Sequence, residues 1–388
     1  MIRFFQGNRI QLLRNGAEYF PALIAACNAA ADEIHLQTYI FAEDSSGQAV
    51  AKALMQAARR GVAVHLLLDG FGSKDLSAGF LRGMQQAGVQ VLNYRPQLAV
   101  WRFRRTQLRR LHHKVAVVDG SVAFVGGINV IDDMDTPGQI PPRFDYAVMV
   151  EGPLLSAIHR VVTRLWWQVT WTQLRLRRLP RQAAGTVAGP RGGQRAAFVI
   201  RNNVRHRRDI ENAYLEAIRR ARSEVLIANA YFFPGKNFRR ALSEAAARGV
   251  RVILLLQGRV EYRLLHYASR ALYRQLLDAG IEIQEYHHSF MHAKVAVIDG
   301  HWATVGSSNI EPLSLLLARE ANVVIEDAAF ARTLRRSLEE AIAVGAEPVR
   351  RTTWRKQRLP ARAVSWLCYE IVRLLIGWSS YGRVRDFT

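Results

Sequence analysis

Apolar positions along this chain switch between two periods, and the switching repeats. Residues 8–13 read as a strand, and Asn15 stands where it would cap a helix carrying Tyr19, Leu23 and Ala26 at helical spacing. A strand is expected from Glu33 to Phe41, a helix from Gln48 to Arg60 and a strand from Val62 to Leu68. A helix from Leu76 to Gln86 and a strand from Val89 to Tyr94 follow. Past the midpoint the plan recurs. Asp209 to Arg222 is expected as a helix, Glu224 to Asn229 as a strand and Phe238 to Arg248 as a helix. Val250 to Leu256 is then a strand, Arg263 to Ala279 a helix and Ile281 to Tyr286 a strand. Such alternation predicts an α/β fold, its sheet covered by helices on both faces.

Local text repeats as well. Ala57-Ala58-Arg59-Arg60-Gly61-Val62 returns as Ala246-Ala247-Arg248-Gly249-Val250, each feeding a strand. His112 to Asn129 (HHKVAVVDGSVAFVGGIN) returns as His292 to Asn309 (HAKVAVIDGHWATVGSSN). In each copy a His and a Lys stand two residues apart, so strand alternation directs both to one face. The valines that follow are strand formers, and Asp119-Gly120 and Asp299-Gly300 signal a two-residue hairpin. Gly126 and Gly306 open small-residue ends that let amide donors approach an anion closely, with Ser307, Asn129 and Asn309 beside them. Two ordinary hairpins would explain the valines and turns, but not the shared His and Lys. An internal duplication does, and it predicts two halves meeting across a pseudo-twofold axis.

His-x-Lys-x4-Asp followed by Gly-Gly-x-Asn or Gly-Ser-x-Asn, twice in one chain, resembles the phospholipase D superfamily. The flanking text Asn8-Arg9-Ile10-Gln11-Leu12-Leu13, Thr38-Tyr39-Ile40-Phe41, Leu68-Asp69-Gly70-Phe71-Gly72-Ser73 and Ala228 to Gly235 is similar to bacterial cardiolipin synthases. The short, B-type form fits best, over about residues 5 to 345. The resemblance implies two phospholipase D-like αβα sandwich domains with mixed sheets, at 1–173 and 196–345. Residues 174–195, with Pro180, Pro190 and clustered arginines, are expected as an exposed linker, and 346–388 as a basic amphipathic tail.

Composition narrows the partners. The formal net charge of +22 calls for a polyanion, and on charge alone nucleic acid and an anionic bilayer fit equally. Hydrophobic content of 49% excludes disorder for most of the length. Cys27 and Cys368 are too few for a disulfide framework, which favours a reducing compartment. No signal peptide and no spanning helix are expected. The resemblance then selects anionic phospholipids, with no nucleic acid. It places the chain peripherally on the cytoplasmic side of a bacterial inner membrane and leaves the oligomeric state open.

Three segments bear on that placement. Gln97 to Arg110 interleaves arginines with aromatic residues, so Trp101, Arg102, Arg104 and Arg105 are expected to touch the membrane. Leu154 to Trp171 is expected as a helix whose Trp166, Trp167 and Trp171 pack in the core. In the tail, Val364, Leu367, Cys368, Ile371, Leu374, Leu375 and Trp378 share one helical face. That face either docks on the body or lies on a bilayer.

The resemblance names His112, Lys114, Asp119, His292, Lys294 and Asp299 as catalytic. Breaking a phosphodiester needs a nucleophile, a proton donor for the leaving alkoxide and positive charge around the phosphoryl oxygens. Two histidines divide the first two roles through a phosphohistidine, with His112 as nucleophile by the family pattern. The lysines, Asn129 and Asn309 would hold the oxygens with help from Ser307, and no metal or cofactor is expected. The motif aspartates lie seven residues from their histidines, roughly 20 Å along an extended strand, and so are better suited to fixing the hairpins. The resemblance points instead to Asp145 and Glu320 as the acids that orient the imidazoles. A zinc reading of His113, His287 and His288 with His112 and His292 lacks a nearby Cys and tetrahedral spacing.

The implied activity joins two phosphatidylglycerols into cardiolipin and glycerol. Phosphatidylethanolamine with glycerol, or hydrolysis, would use the same residues. A nuclease of the same superfamily and a non-catalytic surface-binding protein are the competing classes.

Overall fold

The computed structural model describes residues 2–95, 110–136, 140–173, 188–202, 206–260, 263–311, 318–352 and 359–379. The expected membrane loop at 97–109 and most of the expected linker lie outside them.

The first half lays down β1 (Phe5–Arg14), α1 (Asn15–Ala29), β2 (Glu33–Thr38), α2 (Ser45–Arg59) and β3 (Ala63–Asp69). Next come α3 (Ala78–Gln86), β4 (Gln90–Tyr94), the short β5 (Arg110–Leu111), β6 (Lys114–Val118) and β7 (Val122–Gly126). β8 (Tyr146–Glu151) and α4 (Leu155–Thr172) complete it. The second half gives β9 (Gln194–Arg201), α5 (Asp209–Arg220), β10 (Glu224–Asn229), α6 (Lys236–Ala247) and β11 (Arg251–Gln257). The expected long helix then breaks at Leu272 into α7 (Arg263–Ala271) and α8 (Tyr273–Asp278). β12 (Glu282–Tyr286), β13 (Lys294–Ile298), β14 (Trp302–Gly306) and β15 (Ala318–Glu326) follow. α9 (Ala328–Gly345), β16 (Ala346–Pro348) and α10 (Leu359–Ser379) end the chain's described elements.

All sixteen strands join in one sheet. β1 and β9 pair antiparallel at its middle. Outward from β1 the order is β8, β7, β6, β2, β3, β4, and outward from β9 it is β15, β14, β13, β10, β11, β12. The two lists correspond strand for strand, as the internal duplication requires. Each half is mixed. β2, β3 and β4 run parallel because helices carry the chain back between them. β6 and β7 are a hairpin, with Asp119 and Gly120 both at positive φ (49° and 57°) as a tight primed turn demands. Asp299 and Gly300 repeat this at 51° and 62°.

The core is layered, with α1–α3 covering their half on one side and α5–α8 theirs. The opposite layer is shared: Val115, Val117, Ile158 and Val162 of the first half join Val295, Val297, Phe330 and Leu334 of the second. Each fully buried side chain of this size contributes about 1.5–3 kcal/mol, so the layer ties the halves rigidly together.

Polar clamps set the remaining geometry. Asp119 accepts from the backbone N–H groups of Ala31, Asp32 and Glu33. Asp299 does the same for Arg222, Ser223 and Glu224. On the outer face the Glu33 carboxylate receives His159 at 2.6 Å and His35 at 3.4 Å, which seats α4 over β2. Burial alone would raise the Glu33 carboxyl, but hydrogen bonds from these histidines hold it well below the usual carboxylate range.

Two local expectations change. Asn15 does not cap α1; it is the first helical residue, at φ 53°, and both its backbone N–H and its Oδ1 bond the main chain of Asp145. Of the tryptophans, Trp166 is buried against His65, whereas Trp171 is 67% exposed, because it shares the outward face of α4 with Arg164 and Gln168.

Candidate active site

Each half delivers its histidine to the other half's sheet. β5 pairs with β15, so the His112 N–H donates to the Arg319 carbonyl at 3.0 Å, one residue before Glu320. In mirror fashion the His292 N–H donates to the Phe144 carbonyl at 2.8 Å, one residue before Asp145. The side chains complete the exchange. His112 Nδ1 lies 2.9 and 3.1 Å from the Glu320 oxygens, and His292 Nδ1 lies 2.7 Å from Asp145 Oδ2. Such a bond keeps the proton on Nδ1 and leaves the Nε2 lone pair for chemistry.

Both imidazoles line one cavity of about 330 Å³. Asn129 and Asn309 share its wall with Arg110, Arg143, Tyr39 and Tyr231. Asn129 Oδ1 accepts from the Ile40 N–H, whereas the buried Asn309 Oδ1 has no hydrogen-bond partner among the described residues.

The lysines sit behind this wall. Lys114 Nζ donates to the His112 carbonyl at 2.7 Å, and Lys294 Nζ donates to that of His292. Burial pushes the Lys114 ammonium down to about 7; Lys294 adds to the push, while Glu320 and Asp145 oppose it. The histidines respond alike. Burial lowers His112, with Glu320 pulling up and both lysines pushing down. Burial and Lys294 bring His292 to about 3 against Asp145. Burial thus favours the neutral form of both imidazoles beside the lysines and arginines, a setting suited to an anion.

Several expected site residues act elsewhere. Asp119 and Asp299 spend their carboxylates on the loop N–H groups described above and do not line the cavity, in contrast to the catalytic place the resemblance gives them. Ser307 does not face phosphate; its hydroxyl donates to Glu320 Oε2 at 2.5 Å and accepts from the Ala321 N–H. Gly126 and Gly306 permit close strand packing instead of cradling an anion. A Cβ at Gly126 would come within 2.4 Å of the Ala147 Cα, and one at Gly306 within 2.3 Å of the Asn322 side chain.

Other residues escaped the sequence reading. Gly127 makes room for Asp145, whose Oδ1 would lie 2.3 Å from a Cβ there. Tyr39 sets its ring 5.0 Å from that of His112, and Phe290 stacks on His292 at 6.2 Å. The available signal was positional: Arg110 and Phe290 each stand two residues before a motif histidine, on the same strand face. Buried Arg201 lies opposite Glu320 in the β9–β15 register. Burial lowers its guanidinium to about 10 while Glu320 pulls the other way.

Among the described residues, the group of side chains able to hold a metal is Glu33, His35 and His159, none of which lines the cavity. His113 instead bonds Gln37 at 2.8 Å.

A family profile described as cardiolipin synthase, phospholipase D-like domain, matches residues 23–134 and 214–342. The chain belongs to this family. It is 40% identical to cardiolipin synthase B of Escherichia coli (strain K12) over 386 residues, covering 96% of this chain and 90% of that one. It is 30% identical to a cardiolipin synthase of Geobacillus kaustophilus over 81% of this chain and 62% of that one. A crystal structure of phosphatidylserine synthase from Haemophilus influenzae superposes with a TM-score of 0.71 at 12% identity, covering 96% and 95% of the two chains. At that identity the match speaks for the fold alone, and it is the two-domain phospholipase D fold expected from the duplicated motifs. Among the described residues no helix is long and apolar enough to cross a membrane.

Proposed function

We propose that this chain is a cardiolipin synthase that transfers a phosphatidyl group from one phosphatidylglycerol to another and releases glycerol. The observation that carries the reading is the crossed pair of dyads, His112 with Glu320 and His292 with Asp145, on one cavity. His112 Nε2 attacks phosphorus, the P–O bond to the headgroup glycerol breaks, and His292 supplies the proton that alkoxide takes. The glycerol hydroxyl of a second phosphatidylglycerol then gives its proton back to His292. Its oxygen displaces His112 from phosphorus, forming cardiolipin and restoring the site. A bound phosphodiester anion offsets the lysine charge that adds to burial in lowering His292, so substrate itself prepares the acid. Lys114, Lys294, Asn129 and Asn309 stabilise the charge gathering on the phosphoryl oxygens.

The phospholipid substrate and the chain's positive charge support peripheral attachment to the cytoplasmic face of the inner membrane. In buffered chelator, phosphatidylglycerol labelled in its headgroup is expected to yield cardiolipin and labelled glycerol in equal amounts. Phosphatidic acid without cardiolipin, or turnover of DNA in a parallel arm, would replace this reading.

A further inference from the structure

α10 leaves its apolar stripe outside. The helix packs along α7 through an edge on which Ser365 and Val372 are buried, and the Tyr369 ring lies 5.3 Å from that of Phe233. Val364, Leu367, Ile371 and Leu374, spaced three, four and three residues apart, are 48%, 55%, 38% and 67% exposed. Trp366 beside them is 62% exposed. Of the face expected from the sequence, Val364, Leu367, Ile371 and Leu374 point outward, Cys368 packs against the core, and the side chains of Leu375 and Trp378 lie outside the described ones.

We infer that this stripe is a bilayer contact, seating the protein on an anionic phospholipid surface beside the entrance to the cavity. The inference rests on the lipid reading above and adds to it the element that meets the lipid. Three observations favour a bilayer over a second copy of the chain. Residues 350–362 immediately before the stripe hold no acid and carry Arg350, Arg355, Lys356, Arg358 and Arg362, besides Arg351, which pairs with Asp278, and this charge complements anionic headgroups. The stripe runs about 15 Å along a helix that is not apolar enough to span, the form of an element lying in the interface plane. And α7, the helix beneath, contributes Leu265 to the cavity wall, so a membrane on α10 lies where lipid must enter.

The test compares the protein with its L367S/I371S/L374S variant on vesicles of phosphatidylglycerol and phosphatidylcholine. Vesicle affinity and the rate on vesicle substrate are expected to fall at least tenfold, while the rate on monomeric short-chain phosphatidylglycerol stays unchanged. In the unaltered protein, brominated lipid is expected to quench the fluorescence lost in Trp366→Phe, a readout that survives if the triple variant misfolds. Unchanged vesicle affinity with unquenched Trp366 overturns the inference. So does a change in oligomeric state by light scattering, which would make the stripe a subunit contact. Absence of short-chain turnover with vesicle binding intact would instead remove the functional reading and leave the surface standing.

Discussion

The two half-sites share a plan and differ in how they hold their acid. Around His292 the acid is Asp145, set against Gly127, with its second oxygen taking the Tyr146 N–H at 2.8 Å. Around His112 the acid is the longer Glu320, and the position of Gly127 is occupied by Ser307, which donates to it. Buried Arg201 stands across the strand from Glu320, whereas the place across from Asp145 is held by the neutral Asn15, which bonds its main chain. A carboxylate already serving a hydroxyl and facing a guanidinium has less to give an imidazole, so Glu320 supports His112 through a more shared acceptor than Asp145 offers His292. That favours His112 for attack and His292 for proton transfer, a division the repeated motif by itself is too symmetrical to make.

The largest expected effect breaks the pair apart. His112→Asn should abolish any phosphoenzyme, while His292→Asn should still form one on His112 with a substrate whose leaving group needs no proton. On phosphatidylglycerol both should lose about 10³-fold or more in kcat, and phosphate trapped on His292 in the unaltered protein would reverse the assignment. Next come the acids. Asp145→Asn and Glu320→Gln free the wrong tautomer and should each cost about 10³-fold in kcat with little change in KM.

Ser307→Ala and Gly127→Ala sharpen the comparison at about tenfold, for opposite reasons. The first removes a donor, raising the basicity of His112 and moving the acid limb of the kcat/KM profile up. The second drives a Cβ into Asp145. Coincident pH profiles for Ser307→Ala and the unaltered protein would show the serine to be structural only.

Titration gives a further difference. Lys114, near 7, should make kcat/KM fall as pH rises through neutrality, and the corresponding limb of kcat, which reports the substrate-bound enzyme, should lie higher. His292 acts on stability. With its imidazole near 3 when folded and near 6.5 when unfolded, the unfolded chain binds the extra proton between those values. Stability therefore falls as pH drops through that window, and urea unfolding at pH 7 and 5 should show a smaller drop in His292→Asn. The smallest catalytic effect belongs to Asp119→Ala and Asp299→Ala. Each should lower stability by about 2–3 kcal/mol through lost charge-assisted bonds, while activity per folded molecule stays within a few fold.

Periodicity, the duplicated His-x-Lys hairpins and the Asp-Gly turns are local properties, so the duplication, most of the elements and the paired hairpins were legible in the sequence alone. It also determined that Asp119 and Asp299 are too far along their strands to reach the chemistry, since a fixed rise per residue needs no fold to compute. What tertiary structure decided is everything that depends on register between distant strands. Only the β5–β15 pairing brings His112 to Glu320, 208 residues away, and only the crossing at Phe144 brings His292 to Asp145. Ser307 reads as a phosphate ligand until β15 places a carboxylate against it. Likewise the amphipathic tail carries its stripe in the sequence, but which edge meets the body is set by the shape of α7, and an amphipathic pattern does not encode its partner.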